Sequence, residues 1–294
     1  MNAALEAVTA LLTKALSVWT SRDTLLSFGV MALLVLLTPR LRRAEGYWNR
    51  GLLTDAAYTF LYLGGVFSFL AAAPLQRGLN GLVTDHLPFL RLHLLATLPP
   101  ALAFVVLFVV MDLCSYWAHR ATHAIAPLWL FHAIHHSQGR LSALTNFRFH
   151  AGDIFFRTLV QFVPFTLLGA PSFAGVPLLW ITVPLTVFLE SLAHCDLGWT
   201  FGPLGALVVS PAFHRVHHSA EARHHHRNYG IALSVWDRLF GTADSSTARP
   251  AAYGAPGMDV PASFVRQLAY PFVALARRLR RSGREPASVE RTPS

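Results

Sequence analysis

Phe104-Val-Val-Leu-Phe-Val-Val-Met-Asp112-Leu-Cys-Ser-Tyr116-Trp-Ala-His119-Arg-Ala-Thr-His123 runs without a break from apolar sequence into a histidine pair. It ends a segment, His93 to Trp117, that reads as a membrane span. Asp112, Tyr116, His119 and His123 follow i, i+4, i+7, i+11 spacing, so a helix lays them in one stripe. A helix that leaves an apolar layer carrying imidazoles on one face decides the fold class. The expectation is an all-α integral membrane protein of four to five transmembrane helices, with a cytoplasmic histidine-rich helical cap.

The rest of the chain repeats the theme. All but His86 and His93 of the fifteen histidines fall between His119 and His226. His132-Ala-Ile-His135-His136 is HxxHH, and His214-Arg-Val-His217-His218 repeats it some eighty residues on. Residues three and four apart share a helix face, so each cluster aims two or three imidazoles at one region. Neutral imidazole is a common ligand for iron, zinc, copper and nickel. His194, at the end of an apolar segment, joins these clusters as a ninth candidate. A zinc site takes about four ligands; nine imidazoles are too many for one ion and right for two. The candidate ligands are therefore His119, His123, His132, His135, His136, His194, His214, His217 and His218. Candidates for an additional ligand or a supporting hydrogen bond are Asp112, His150, Glu190 (one turn before His194) and His224.

Composition agrees with a membrane chain. Of 294 residues 53% are hydrophobic and 13% charged, against about 25% charged in soluble domains. The formal charge of +9 reads as topology and attraction to anionic lipid. No basic face with an aromatic or helix-turn-helix context points to nucleic acid. Cys114 and Cys195 form no framework and no CxxC. Met1 to Thr20 has no compact basic stretch and contains Glu6, so a cleavable signal is not expected there.

Ala3 to Thr20, interrupted by Glu6 and Lys14, reads as an interfacial lead-in. Spans are expected at Thr24–Thr38, Leu52–Ala73, His93–Trp117, Ile154–Gly169 and Ser172–Ala193, with Leu75–Leu92 loop-like. Arg40, Arg42, Arg43 and Arg50 place their loop in the cytoplasm, and counting crossings brings every histidine cluster to that side. Phe264–Arg281 reads as a basic amphipathic helix on the inner leaflet. The resulting division is 1–104, an interfacial and transmembrane region; 105–242, the catalytic domain with its hairpin at 154–193; and 243–294, a loop and basic tail.

Asp112-Leu-Cys-Ser-Tyr116-Trp-Ala-His119-Arg-Ala-Thr-His123, the two HxxHH boxes and the closing Asn228-Tyr229-Gly230-Ile-Ala-Leu-Ser-Val-Trp236-Asp237-Arg238-Leu239-Phe240-Gly241-Thr242 resemble the fatty acid hydroxylase superfamily, also called the sterol desaturase family. The resemblance covers roughly residues 105 to 242. It implies a membrane-bound non-haem oxygenase with two iron ions, in which zinc can replace iron on purification, and O2 as co-substrate. Such an enzyme hydroxylates or desaturates a C–H bond of a lipid. The sequence departs from the pattern at Glu190, where some members carry histidine, and at His226, where many carry an acidic residue. The chain has no GxGxxG, no ferredoxin-type cysteine run and no fused haem domain. Electrons must then reach it from a separate electron-transfer protein, with NAD(P)H acting only indirectly through a reductase. Arg148, Arg215 and Arg223 are candidates for an anionic head group.

Two other readings use the same residues. A zinc-dependent membrane hydrolase would activate water, but HExxH is missing. A metal transporter would carry its histidines near the midplane of the spans. The expected location is the inner membrane of a bacterium.

Overall fold

Proline is tolerated at the start of a helix, where its missing N–H has no partner to lose. The residue before a proline is biased out of the helical region. Pro99-Pro100 is therefore a start signal, and the 25-residue helix Pro100–Ala124 begins there. The expected start at His93 is corrected: His93 has φ 49 and lies in the connection before the helix.

The computed structural model describes residues 22–42, 49–168, 172–173, 176–177 and 179–282. The interfacial lead-in at 3–20, Arg43 and the Ala170-Pro171 corner lie outside them. The helices are α1 (Arg22–Arg42), α2 (Arg50–Leu63), α3 (Ala73–His86), α4 (Pro100–Ala124), α5 (Ala126–His136), α6 (Ala151–Leu168), α7 (Leu179–Ala193), α8 (Pro211–His217), α9 (Val235–Leu239) and α10 (Phe264–Ser282). Strands β1 (Ser172–Phe173) and β2 (Val176–Pro177) pair antiparallel. The expected span Ser172–Ala193 is thus helical only from Leu179.

By length and composition α4 and α6 are able to cross a membrane. The pair formed by α2 and the Ser68–His86 stretch, bent by 51° between them, passes the same test together and counts as a third candidate if it is one span. Shorter apolar runs are Thr24–Leu36 in α1 and Pro184–Ala193 in α7. The single span expected at Leu52–Ala73 is instead broken at Gly64-Gly65, where Gly65 takes φ 73, a conformation that favours glycine. The expected loop at Leu75–Leu92 is largely helix α3, with Pro74 in its first turn. Pro74 and the two glycines of this stretch look like loop signals, but a first-turn proline is compatible with helix.

α4 packs along α6, and after one residue, Ile125, the chain turns into α5. On α6, Phe155, Leu159 and Val163 stand four apart and exposed. Such a stripe marks an interaction surface, and on a helix able to cross a membrane it suits contact with lipid. The helix expected at Phe264–Arg281 forms α10 and packs on α5 and α2.

One buried ion pair ties the bundle to α5. Asp55 of α2 is fully buried and takes hydrogen bonds from Arg148 Nη1 (2.7 Å), Gln138 Nε2 (2.8 Å) and Thr145 Oγ1 (2.8 Å). Arg148 also donates from Nε to the Ile134 carbonyl (3.0 Å) and from Nη2 to Ser137 Oγ (3.1 Å). It is therefore committed to the end of α5 and is not a head-group cation. Removing one partner of a buried pair typically costs about 3–5 kcal/mol, because a bare charge remains. Asp55→Ala should therefore sharply lower the thermal stability of the detergent-solubilised protein. Asp55→Leu combined with Arg148→Met should recover most of it. An Asp55→Ala protein as stable as wild type would show that the pair does not hold α5.

Candidate metal centre

An HxxHH box on a helix sends its imidazoles in two directions. The first and last stand four apart and differ by about 40° around the axis, while the middle one falls about 60° to the other side. The structure uses this split twice, in opposite senses. On α5, His132 and His136 join one group and His135 the other; on α8 and its first following residue, His214 and His218 join the second group and His217 the first. With His119 and His123 of α4, the first group is His119, His123, His132, His136 and His217. With His194 after α7, the second is His135, His194, His214 and His218. In each group one ligand atom per residue lies within 4.8 Å of every other. The two groups interlock: the His136 and His218 rings stack with centroids 4.4 Å apart.

Local sequence sets these helices. Ser210 caps α8, its hydroxyl accepting from the Phe213 N–H at 3.2 Å, with Pro211 in the first turn. On α5, Pro127 occupies the first turn.

The donor atoms fit metal ions. In the first group all five Nε2 atoms are buried and have no hydrogen-bond partner. An unsatisfied buried polar group costs about 1–3 kcal/mol, so five together need a ligand. Behind them, His119 Nδ1 donates to the Tyr229 carbonyl (2.9 Å), His217 Nδ1 to the Arg227 carbonyl (2.8 Å), and His132 Nδ1 to Asp153 Oδ2 (2.7 Å). A carbonyl only accepts, so the Nδ1 proton is fixed and the Nε2 lone pair points inward. In the second group, His194 Nδ1 donates to the Glu190 carbonyl (2.7 Å). Its Nε2 then faces those of His135 (3.2 Å), His214 (3.0 Å) and His218 (3.1 Å). Four nitrogens around one tetrahedral ion, each about 2.0–2.1 Å from it, lie about 3.3 Å apart. Four converging nitrogens exceed what one ring proton can bridge.

Burial, its largest cause, holds the imidazoles of His132, His135, His136, His214 and His218 below their ordinary range. It pushes His194 down to about 4 and His217 to about 3. They are neutral at physiological pH, the form that binds a metal.

The four additional candidates fall outside the two groups. His150 accepts from the Gly152 N–H at Nδ1 (2.9 Å) and bonds the Leu268 carbonyl through Nε2 (3.0 Å), so both nitrogens are used. His224 bonds Ser219 Oγ at 2.8 Å. Asp112 bonds no ligand imidazole: its carboxylate accepts from Ala232 N (2.9 Å), Leu233 N (3.0 Å) and Trp236 Nε1 (2.8 Å). It clamps the closing segment to α4 instead. Glu190 offers its carbonyl to His194, and its side chain lines the neck described below. Of the head-group candidates, Arg215 bonds the Thr247 carbonyl and Arg223 pairs with Glu221.

The closing segment acts through its backbone. Asp237 receives Tyr229 N and Gly230 N, each at 2.7 Å, and so presents the Tyr229 carbonyl to His119. A Cβ at Gly230 would meet the Leu233 carbonyl at 2.7 Å and Asp237 Oδ2 at 2.8 Å, so only glycine fits. Asp153, which orients His132 and also pairs with Arg157 at 2.9 Å, carries no signal in the sequence.

A cavity of about 590 Å³ opens among α3, α4, α6 and α7. Phe149, Arg157 and Glu190 line it and also a small adjoining void of about 10 Å³, the neck, beside His119, His135, His194 and His214. The Phe149 ring stacks on His135, with centroids 4.6 Å apart and planes 9° apart.

Comparison with known proteins follows the same residues. The family model for fatty acid hydroxylase matches residues 104–242. An ornithine lipid hydroxylase of Rhizobium tropici is 36% identical over 248 residues, 81% of this chain and 72% of that protein. The alkylglycerol monooxygenase of Danio rerio is 31% identical over 135 residues, which are 46% of this chain and 29% of that protein. A fatty acid hydroxylase of a Lecanicillium species is 31% identical over 158 residues, 48% of this chain and 42% of its own length. No solved structure matches the chain.

Two predictions test the centre. Purified protein should hold two transition-metal ions per chain by elemental analysis; one ion in well-folded, iron-supplemented protein would contradict the two-group reading. Asp153→Asn should weaken metal retention at the five-histidine group by about 10- to 100-fold and leave the four-histidine group loaded. Equal loss from both groups would contradict that assignment.

Proposed function

The chain belongs to the fatty acid hydroxylase family, and from that premise we propose that it is a membrane-bound di-iron oxygenase that hydroxylates a C–H bond of a lipid. The observation that carries the proposal is the pair of interlocked imidazole groups beside the neck of a cavity set among apolar helices. Relatives named as hydroxylases and monooxygenases favour an oxygenase over the zinc hydrolase. Under this reading the ligands are the nine histidines, five to one iron and four to the other. An all-nitrogen donor set suits iron or zinc better than magnesium or calcium. α1 and α7 complete the crossings toward four or five, and the centre faces the cytoplasm of a bacterial cell, where a separate electron-transfer protein reaches it.

The bound ions would supply the reduction of O2 and the oxidation of the C–H bond. The chain's own residues do the rest. The carbonyls of Tyr229, Arg227 and Glu190 and the Asp153 carboxylate hold four imidazoles as inward-pointing donors. Phe149 covers His135 and narrows the passage from the cavity, which limits water beside the reacting carbon. The cavity volume lies within the range of small-molecule sites, about 300–1,000 Å³, and accepts part of a lipid rather than all of it.

Membranes containing the protein, supplied with reductant under 18O2, should yield a lipid carrying one 18O atom and none without oxygen. Label arriving from water instead would overturn the oxygenase reading in favour of hydrolysis. His135→Ala and His217→Ala should each abolish the product while the protein still inserts in membranes, because packing and apolar partitioning hold the helices. His225→Ala should leave the product level close to wild type.

A further inference from the structure

The two histidine groups do not face the same way. His135, His194 and His214 of the second group line the neck, against His119 alone from the first. The first group comes nearest to the surface: His123 is half-buried, whereas the other eight imidazoles are buried. The segment His225–Tyr229 borders that group. His225 and His226 are exposed, and the backbone just after them reaches two ligands. The Arg227 carbonyl accepts from His217 Nδ1 at 2.8 Å, and the Tyr229 carbonyl from His119 Nδ1 at 2.9 Å. His226 and Asn228 take φ 61 and 59. Left-handed backbone is uncommon outside glycine and persists where surrounding bonds impose it. Asn228 Nδ2 supplies such bonds, donating to the Phe213 and Asp244 carbonyls, each at 2.9 Å. The segment is thus a fixed bridge from the protein surface to the five-histidine group.

Positive charge around the bridge is left uncompensated. Between Ser210 and Thr242 the acids are Glu221 and Asp237. Glu221 pairs with Arg223, and Asp237 is buried on the Tyr229 and Gly230 N–H groups. Arg120 and Arg227, both half-buried, have no ion-pair partner among the described residues. Arg120 Nη1 donates to the Tyr116 hydroxyl at 3.3 Å, and its guanidinium lies 5.2 Å from the Trp117 ring, a side chain 45% exposed. Arg227 Nη1 donates at 3.3 Å to the carbonyl of Gly241, which follows Phe240, and the Phe240 ring stacks on Tyr116 at 5.4 Å. The two guanidinium groups therefore share one face. His226 belongs to it as well, its Nδ1 lying 3.3 Å from the Tyr229 hydroxyl.

We propose that Arg120, His225, His226 and Arg227 form the docking surface of an acidic one-electron carrier protein, so that electrons enter on the side of the five-histidine group and substrate on the side of the four-histidine group. A basic face steers an acidic partner and fixes its orientation before contact. A carrier seated there touches the segment whose carbonyls bond His217 and His119, so the path to the ligands runs through covalent and hydrogen bonds rather than across a gap. This rests on the oxygenase reading, which calls for an external electron source, and says where that source is met. In each encounter one electron leaves the reduced carrier and turns one ferric ion to ferrous; two encounters reduce the pair, and no bond or proton is exchanged in that step.

The probe is a plant-type [2Fe–2S] ferredoxin, a small acidic carrier, added to the detergent-solubilised, iron-loaded protein. Oxidised ferredoxin should bind at low ionic strength and weaken steeply as salt rises. Arg120→Gln combined with Arg227→Gln should weaken binding about tenfold or more. Arg266→Gln combined with Arg277→Gln, at exposed positions of α10, should leave it near wild type. Mixed anaerobically with the ferric protein, reduced ferredoxin should be oxidised more slowly by the Arg120/Arg227 variant, in step with its weaker binding. Reduction of the same variant by dithionite should proceed as in wild type. Ferredoxin that does not bind wild type, binding unchanged in the Arg120/Arg227 variant, or equal weakening by the α10 pair would overturn the docking surface and leave the oxygenase reading intact. A variant slowed as much with dithionite as with ferredoxin would also overturn it, because the two arginines would then act on the centre and not on the carrier. Iron that accepts electrons from neither source would remove the oxygenase reading, while the binding comparison still decides the surface.

Discussion

Nine imidazoles buried in one place are tolerable only if something other than water or protein takes their lone pairs. That constraint organises the catalytic half of the chain. Five Nε2 atoms without partners and four more crowded within 3.2 Å of His194 or of one another are a net cost in an empty protein. A cation held in each group would turn that cost into a gain, because the free energy of metal binding adds to the stability of the fold that holds the ligands. The features behind the ligands serve the same end. Asp112 and Asp237 spend their carboxylates on the backbone of the closing segment, and that segment returns the Tyr229 carbonyl to His119. The Asp55–Arg148 pair fixes the end of α5, the helix that feeds both groups.

The duplicated HxxHH box gains a geometric meaning from this. One box gives two imidazoles to the first group and one to the second, and its twin does the reverse. Neither box alone completes either group. Helices α5 and α8 must therefore both be seated before either group is complete, which couples assembly of the two. The same coupling means that losing one ligand from either helix disturbs the ring contacts of the other group, as between His136 and His218.

Much of this was legible in the sequence, because helical periodicity carries side-chain direction. The i, i+4 pairs in α4, α5 and α8 named the imidazoles that converge, and apolar runs named α4 and α6. His194 was readable from its place at the end of an apolar segment. What could not be read depends on contacts distant in the chain. Asp153 meets His132 across a turn whose path no local pattern encodes. Asp112 shares the histidine stripe on α4, yet its carboxylate is taken by residues 120 and more positions later. The break at Gly64-Gly65 was hidden because glycine inside an apolar run signals neither a span nor a bend by itself. The helix α3 was obscured by a proline whose meaning depends on whether it stands first or within.

Everything above turns on the proposed division of the histidines, five and four, around two ions. Anomalous scattering at the iron edge from crystals of the iron-loaded protein tests it most directly. Two peaks are predicted, one enclosed by the Nε2 atoms of His119, His123, His132, His136 and His217, the other by those of His135, His194, His214 and His218. A single peak shared between the groups, or a peak outside both, would contradict it.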